Sequence, residues 1–199
     1  MRQFDEAREQ AALAVDVAAK GDHRSRAAGY ELLARIALAR HNIETAREEA
    51  ALAREENPAL PLPTYIEARQ LYDQGKYADA LPLFLQAIAE LKKSDTLQIS
   101  GLHFYAGDTL QRLKQFPEAE AELVEELKHF PQNTRARGGL AMLYQASGQP
   151  EAATDVLTEM LRVSPTPESY ALAARLFKTF GNSRQAEVVR AEAQRAAKY

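Results

Sequence analysis

The chain has 199 residues, 46% apolar and 27% charged, a balance that supports a folded domain rather than a disordered segment. Its 25 basic and 28 acidic residues leave a formal charge of −3, so there is no cationic surplus for a phosphate backbone and a dedicated nucleic-acid binder is not expected. Cysteine is absent, which removes disulfides, thiolate metal sites and a cysteine nucleophile. Met1 to Arg8 lacks the apolar core of a secretory signal. The uncharged stretch Ala80 to Ala89 is far shorter than the roughly 20 residues a spanning helix needs, so the chain reads as soluble, with its compartment open.

Ala, Leu, Glu, Gln, Arg and Lys dominate, residues that lose little freedom in a helix, and no stretch alternates polar and apolar long enough for a strand. An all-α chain is expected. In chain order the periodicity predicts a lone helix over 3–20 and then five helix pairs, near 27–60, 61–99, 100–133, 134–166 and 167–199. In the first helix Ala7, Ala11, Ala14 and Val15 can pack onto the next pair, leaving Leu13 or Val17 with less cover. Such a helix reads either as a natural starter or, the favoured expectation, as the second half of a repeat from a longer chain. Pro61 and Pro63, close behind Asn57 and Pro58, stiffen the next connection. Pro82 lies about a turn into its helix and should bend or loosen it. Gly75, Gly148 and Gly181 mark turns within pairs, where a positive φ is inexpensive, and Pro117 and Pro150 open helices. The final helix carries Arg184, Glu187, Arg190, Glu192, Arg195 and Lys198, as a solvated cap would.

One register runs through these elements. A large residue three places before an alanine recurs as Phe4-Ala7, Ile43-Ala46, Tyr77-Ala80 and Phe116-Ala119, with weaker copies at Pro150-Ala153 and Ser183-Ala186. The alanines are spaced 39, 34, 39, 34 and 33 residues apart. Twelve places before the last five stand Ala34, Ala68, Gly107, Ala141 and Ala174, and twelve after three of them stand Pro58, Pro131 and Pro165. The 39-residue step after Ala80 implies a helix and connection about five residues long of the norm.

This pattern resembles the tetratricopeptide repeat, a helix-turn-helix unit of about 34 residues. The resemblance implies an α-solenoid, a right-handed superhelix in which the small residue of each first helix packs closely on the alanine of its second helix. Residues four after the alanine would be Ala50, Phe84, Leu123, Leu157 and Arg190, and those seven after Ala53, Ala87, Glu126, Met160 and Ala193. The chain departs from the family in having no Trp in any first helix, in Glu67 and Glu126 at positions usually small or apolar, and in Lys92 where proline would close a repeat.

Chemistry is sparse. His23, His41, His103 and His129 are not paired at ligand spacing, and His103 beside Phe104 and Tyr105 reads as a packed or surface residue. There is no phosphate-binding glycine loop, nucleophile elbow or local triad, and Gly138-Gly139 falls inside a helix, where close packing explains it. A buried Glu67 or Glu126 would need a partner such as Arg69 or another arginine. No catalytic residue, metal or cofactor is expected.

Function should then lie on the first helices, which in the family line a concave face that holds an extended peptide. Matching inward positions gives Arg35, Tyr65, Arg69, Tyr72, Phe104, Asp108, Arg112, Arg135, Met142, Gln145, Arg175 and Lys178. Six cations against one anion, with aromatic area, suit a protein or peptide segment bearing acidic and aromatic residues, centred on Tyr65, Arg69, Tyr72, Phe104 and Arg135. Glu31, Asp73 and Glu168 would offset part of that excess. The lysines and asparagines of the clamp for chaperone carboxy-termini are missing. The expectation is a non-catalytic interaction scaffold. Its alternative is a self-association module or an accessory tail docking on its parent, since repeats of similar style end multidomain bacterial proteins, sulfatase-like hydrolases among them.

Overall fold

The computed structural model describes residues 2–19 and 21–196. Over these residues the chain forms eleven helices and no strand. They are α1 (Arg2–Val17), α2 (His23–Ala39), α3 (Ile43–Glu56), α4 (Pro61–Asp73), α5 (Tyr77–Leu91), α6 (Leu102–Arg112), α7 (Phe116–His129), α8 (Thr134–Ala146), α9 (Pro150–Val163), α10 (Pro167–Thr179) and α11 (Ser183–Ala196). The all-α expectation holds, and α2–α3, α4–α5, α6–α7, α8–α9 and α10–α11 are helical hairpins. Two compact units divide after Leu102. The end of the first predicted helix at Lys20, and Lys198 of the predicted cap, lie outside the described residues.

The hairpins close where small side chains let backbones approach. Ala34, Ala46, Ala68 and Ala80 in the first unit are fully buried, as are Ala119, Ala141 and Ala153 in the second. Gly107 shows how tight the contact is: a Cβ there would sit 2.8 Å from Leu123 Cγ and 3.1 Å from the Ala119 carbonyl oxygen. Around these crossings Phe84, Leu123, Leu157 and Met160 are buried at the larger positions of the second helices. In α11 the pattern shifts by one: Arg190 is exposed and Val189 is buried in its place.

All five hairpins turn in the same way. The residue seven after the small one is left-handed each time: His41 (φ 59), Gly75 (φ 74), Lys114 (φ 62), Gly148 (φ 73) and Gly181 (φ 81). The N–H of the following residue donates to a carbonyl five back, as from Asn42 to Ala37 (2.9 Å), Gln115 to Leu110 (2.9 Å) and Asn182 to Phe177 (2.8 Å). This ends one helix and starts the next with three residues between them. Glycine is suited to that φ, and His41 and Lys114 hold it without glycine's freedom.

Two elements depart from a uniform repeat. α2 has 17 residues against 13 in α4, α8 and α10, an added turn at its amino end. After Ala80 the helix is ordinary, and the extra length lies in the connection 92–101. Pro82 leaves α5 unbroken from Tyr77 to Leu91, because it sits on the exposed side where its missing bond costs least. Contrary to expectation, Ala7 and Ala14 are exposed; α1 packs on α2 through Ala11 and Val15. A Cβ at Gly29 would meet Val15 Cγ2 at 2.4 Å. The contacting alanine is therefore Ala11, 35 residues before Ala46, and the apparent 39-residue step from Ala7 was a register error of one helical turn. Leu13 and Val17 are exposed on the opposite side, as expected.

Two substitutions test this account by urea unfolding. Lys114→Gly relieves the left-handed backbone and is expected to stabilise the protein by about 1 kcal/mol. Gly107→Ala drives a methyl group into Leu123 and the α7 backbone, with an expected loss of about 1–3 kcal/mol.

Candidate functional site

In the first unit, four expected surface residues are already engaged. Tyr65 is a core residue, 3% exposed, tilted against Phe84 at 6.2 Å. Tyr72 is half-buried, edge-on to Tyr77 and Phe84. Arg69 pairs with Asp73 one turn on at 3.1 Å, which neutralises the charge it would offer. Arg35 donates to buried Glu31 at 2.7 Å and also to the carbonyl oxygens of Leu97 and Gln98, at 2.8 and 3.0 Å. The expected centre on Tyr65, Arg69 and Tyr72 is thus corrected: aromatic rings at these helical positions fill the hairpin interior.

In the second unit α6, α8 and α10 lie side by side. Gly138 admits Leu172 and Leu176 of α10, and Gly139 admits Leu123 and Phe104, which accounts for the glycine pair as close packing. Phe104, 9% exposed and edge-on to Tyr105 at 4.8 Å, is a second correction, since it belongs to the core. Asp108 pairs with Arg112 on α6. Arg135 is exposed at the start of α8, where its Nη1 donates to the Tyr105 hydroxyl at 3.0 Å. Met142 is 46% exposed and Gln145 half-buried on the same helix. Arg175 and Lys178 are exposed on α10 and border a cleft of about 710 Å³ with Tyr170, Ala171, Ala174 and Arg190. α8 and α10 thus expose Arg135, Arg175 and Lys178 as well as the Met142 thioether, while Asp108 on α6 is held by its own arginine.

Sequence reasoning missed what supports this surface. Glu126 is fully buried. Its Oε2 accepts from the Phe104 N–H in the first turn of α6 at 3.3 Å, and its Oε1 accepts from Asn133 Nδ2 at 2.7 Å. Asn133 Oδ1 in turn accepts from the N–H groups of Arg135 and Ala136. One carboxyl group thus joins the amino ends of two helices, where the positive dipole end favours an acceptor. The departure of Glu126 from the family pattern was the visible signal; of the two partners named, one is a backbone N–H and the other the amide of the α8 N-cap, and neither belongs to the repeat pattern. Glu67 differs: it is exposed and pairs with Arg54 at 2.7 Å. His103 is buried, with Nδ1 2.6 Å from Glu122 Oε2, and stacks on His129. Among the described residues no group of three His, Cys, Asp or Glu is placed to hold a metal ion, and no helix is long and apolar enough to cross a membrane.

Residues 110–176 match the family model described as tetratricopeptide repeat. The fold of the chain is the tetratricopeptide-repeat fold. Similar solved structures include MamA from Desulfovibrio magneticus RS-1, from residue 41 to its end, at 18% identity and a TM-score of 0.60 over 90% of this chain and 98% of that one. PilW, described as a widely conserved type IV pilus biogenesis factor, is 20% identical with a TM-score of 0.67 over 99% and 89% of the two chains. YrrB, described as a tetratricopeptide-repeat protein with an unusual peptide-binding site, is 18% identical with a TM-score of 0.56 over 84% of each. No curated protein matches the chain in sequence.

Removing the Glu126 carboxyl by Glu126→Ala strands a buried N–H and the Asn133 amide, and is expected to cost about 2–4 kcal/mol in chemical denaturation. Tyr144, whose hydroxyl donates to Glu120 at 2.8 Å, has its phenol pushed up to about 12 by burial and by that carboxylate. An unfolded tyrosine ionises near 10. Between pH 10 and 12 the unfolded state sheds a proton that the folded state keeps, so Tyr144 makes stability fall as pH rises through that window. Ultraviolet titration should show a phenol step near 12 that is absent in Tyr144→Phe.

Proposed function

We propose that the protein is a non-catalytic interaction scaffold whose α8 and α10 surface takes an acidic peptide segment. The observation that carries this reading is the exposure of Arg135 and Met142 on α8 and of Arg175 and Lys178 on α10, in a chain that is acidic as a whole. Guanidinium groups grip carboxylates in a two-pronged geometry that an ammonium group cannot match. The exposed methionine offers an adaptable apolar contact. The small first-helix residues keep these side chains on rigid elements, which limits the ordering cost of binding. The fold shared with YrrB supports a peptide as the kind of ligand. No cofactor enters this reading, and the expected acidic partner is retained while the aromatic centre on Tyr65 and Phe104 is dropped.

Fluorescence anisotropy with a labelled acidic peptide tests it, using a peptide with glutamates flanking a leucine. The double substitution Arg135→Glu and Arg175→Glu should weaken binding at least tenfold and leave the thermal midpoint within about 2 °C, since both residues are exposed. Binding by the parent protein should also weaken as salt rises. Equal affinity of parent and variant would refute the assignment of this surface.

A further inference from the structure

The side of α1 turned away from Ala11 and Val15 carries two aliphatic side chains in water. Leu13 is 53% exposed, and Val17, one turn on, is 72% exposed. Glu9 and Asp16, four residues before Leu13 and three after it, are exposed on the same side. From Glu6 to Val17 the only cation is Arg8, which borders a different cleft with Leu33 and Arg40. This surface is apolar and acidic. The second unit holds its chemical opposite, the cleft of about 710 Å³ lined by α10 and α11. The apolar lining includes Ala171, Ala174 and Ala193, small side chains that leave room for larger ones. Arg175 and Lys178 on α10 and Arg190 on α11 also line it, all three exposed, and no lining residue is acidic. Among the described residues none of these three cations lies in an ion pair, in contrast to Arg69 and Arg112.

We propose that the protein associates head to tail, with α1 of one copy lying in the α10–α11 cleft of a second copy. Leu13 and Val17 leave water for the alanine-lined cleft, and Glu9 and Asp16 meet its three cations. Charge sets the orientation. Two α1 surfaces repel each other, as do two clefts, so a symmetric contact is disfavoured and unlike surfaces pair. A copy bound at one surface keeps the other open, and association therefore continues past a dimer. This inference rests on the reading that the α10 cations accept acidic segments; it names one such segment and adds α11 to its site.

Sedimentation velocity on the full chain, at concentrations up to about 1 mM, tests this. The parent should grow past the dimer as concentration rises, and added salt should reverse the growth. Leu13→Glu with Val17→Glu removes one surface, and Ala171→Glu with Arg190→Glu removes the other. Each double variant alone should self-associate at least tenfold more weakly. Mixed in equal amounts, the two should form a dimer and stop there, because each supplies the surface the other lacks. A parent that stays monomeric or stops at a dimer overturns the proposal, as do variants that assemble like the parent or a mixture that stays monomeric. If circular dichroism shows that one variant has lost helix, the other decides, since loss of either surface blocks growth. The α1 variant keeps Arg135, Arg175 and Lys178 and should bind the glutamate–leucine peptide as the parent does at concentrations where both are monomeric. Peptide binding without assembly removes this inference alone, and assembly without peptide binding removes the peptide reading alone.

Discussion

The structure depends on how closely two helices can approach when alanine or glycine occupies the crossing. At Gly107 there is no space for even a methyl group against α7, and the buried alanines of the other hairpins mark the same kind of contact. Each hairpin alone leaves one apolar side uncovered. Packing on the next hairpin buries it, as in the second unit, where Leu157, Met160, Phe177 and Val189 form a shared core between successive pairs. The identity of the side chains facing water is then almost unconstrained, which is why a functional surface can be written onto this fold without disturbing it.

Much of this was legible in the chain itself. Six spaced alanines and five small partners located every hairpin, because the packing they serve is local and periodic. What failed did so where periodicity has no purchase. The first helix carries alanine at 7, 11, 12 and 14, so composition could not choose among registers, and only Val15 against Gly29 decides for Ala11. His41 and Lys114 adopt the left-handed turn because the chain must reverse there, whatever residue is present.

The surface was harder to read than the fold. Position in a helix predicted which residues leave the hairpin contact, and Arg135, Met142, Arg175 and Lys178 do reach solvent. The aromatics did not follow, since Tyr65 and Phe104 gain more by burial than by exposure and the hairpin interior had room for them. Arg35 and Arg69 are on accessible helices, yet each has a carboxylate one turn away, and a charge with a neighbour at that spacing is spent locally.

The joint at Glu126 has a consequence for how the second unit comes apart. Because a single carboxyl group completes the amino end of α6 and, through Asn133, that of α8, neither helix can fray at that end without stranding a polar group on the other. Linear arrays of repeats ordinarily peel from their ends one module at a time. Here two neighbouring modules share a lock, which couples the opening of one amino end to that of the other.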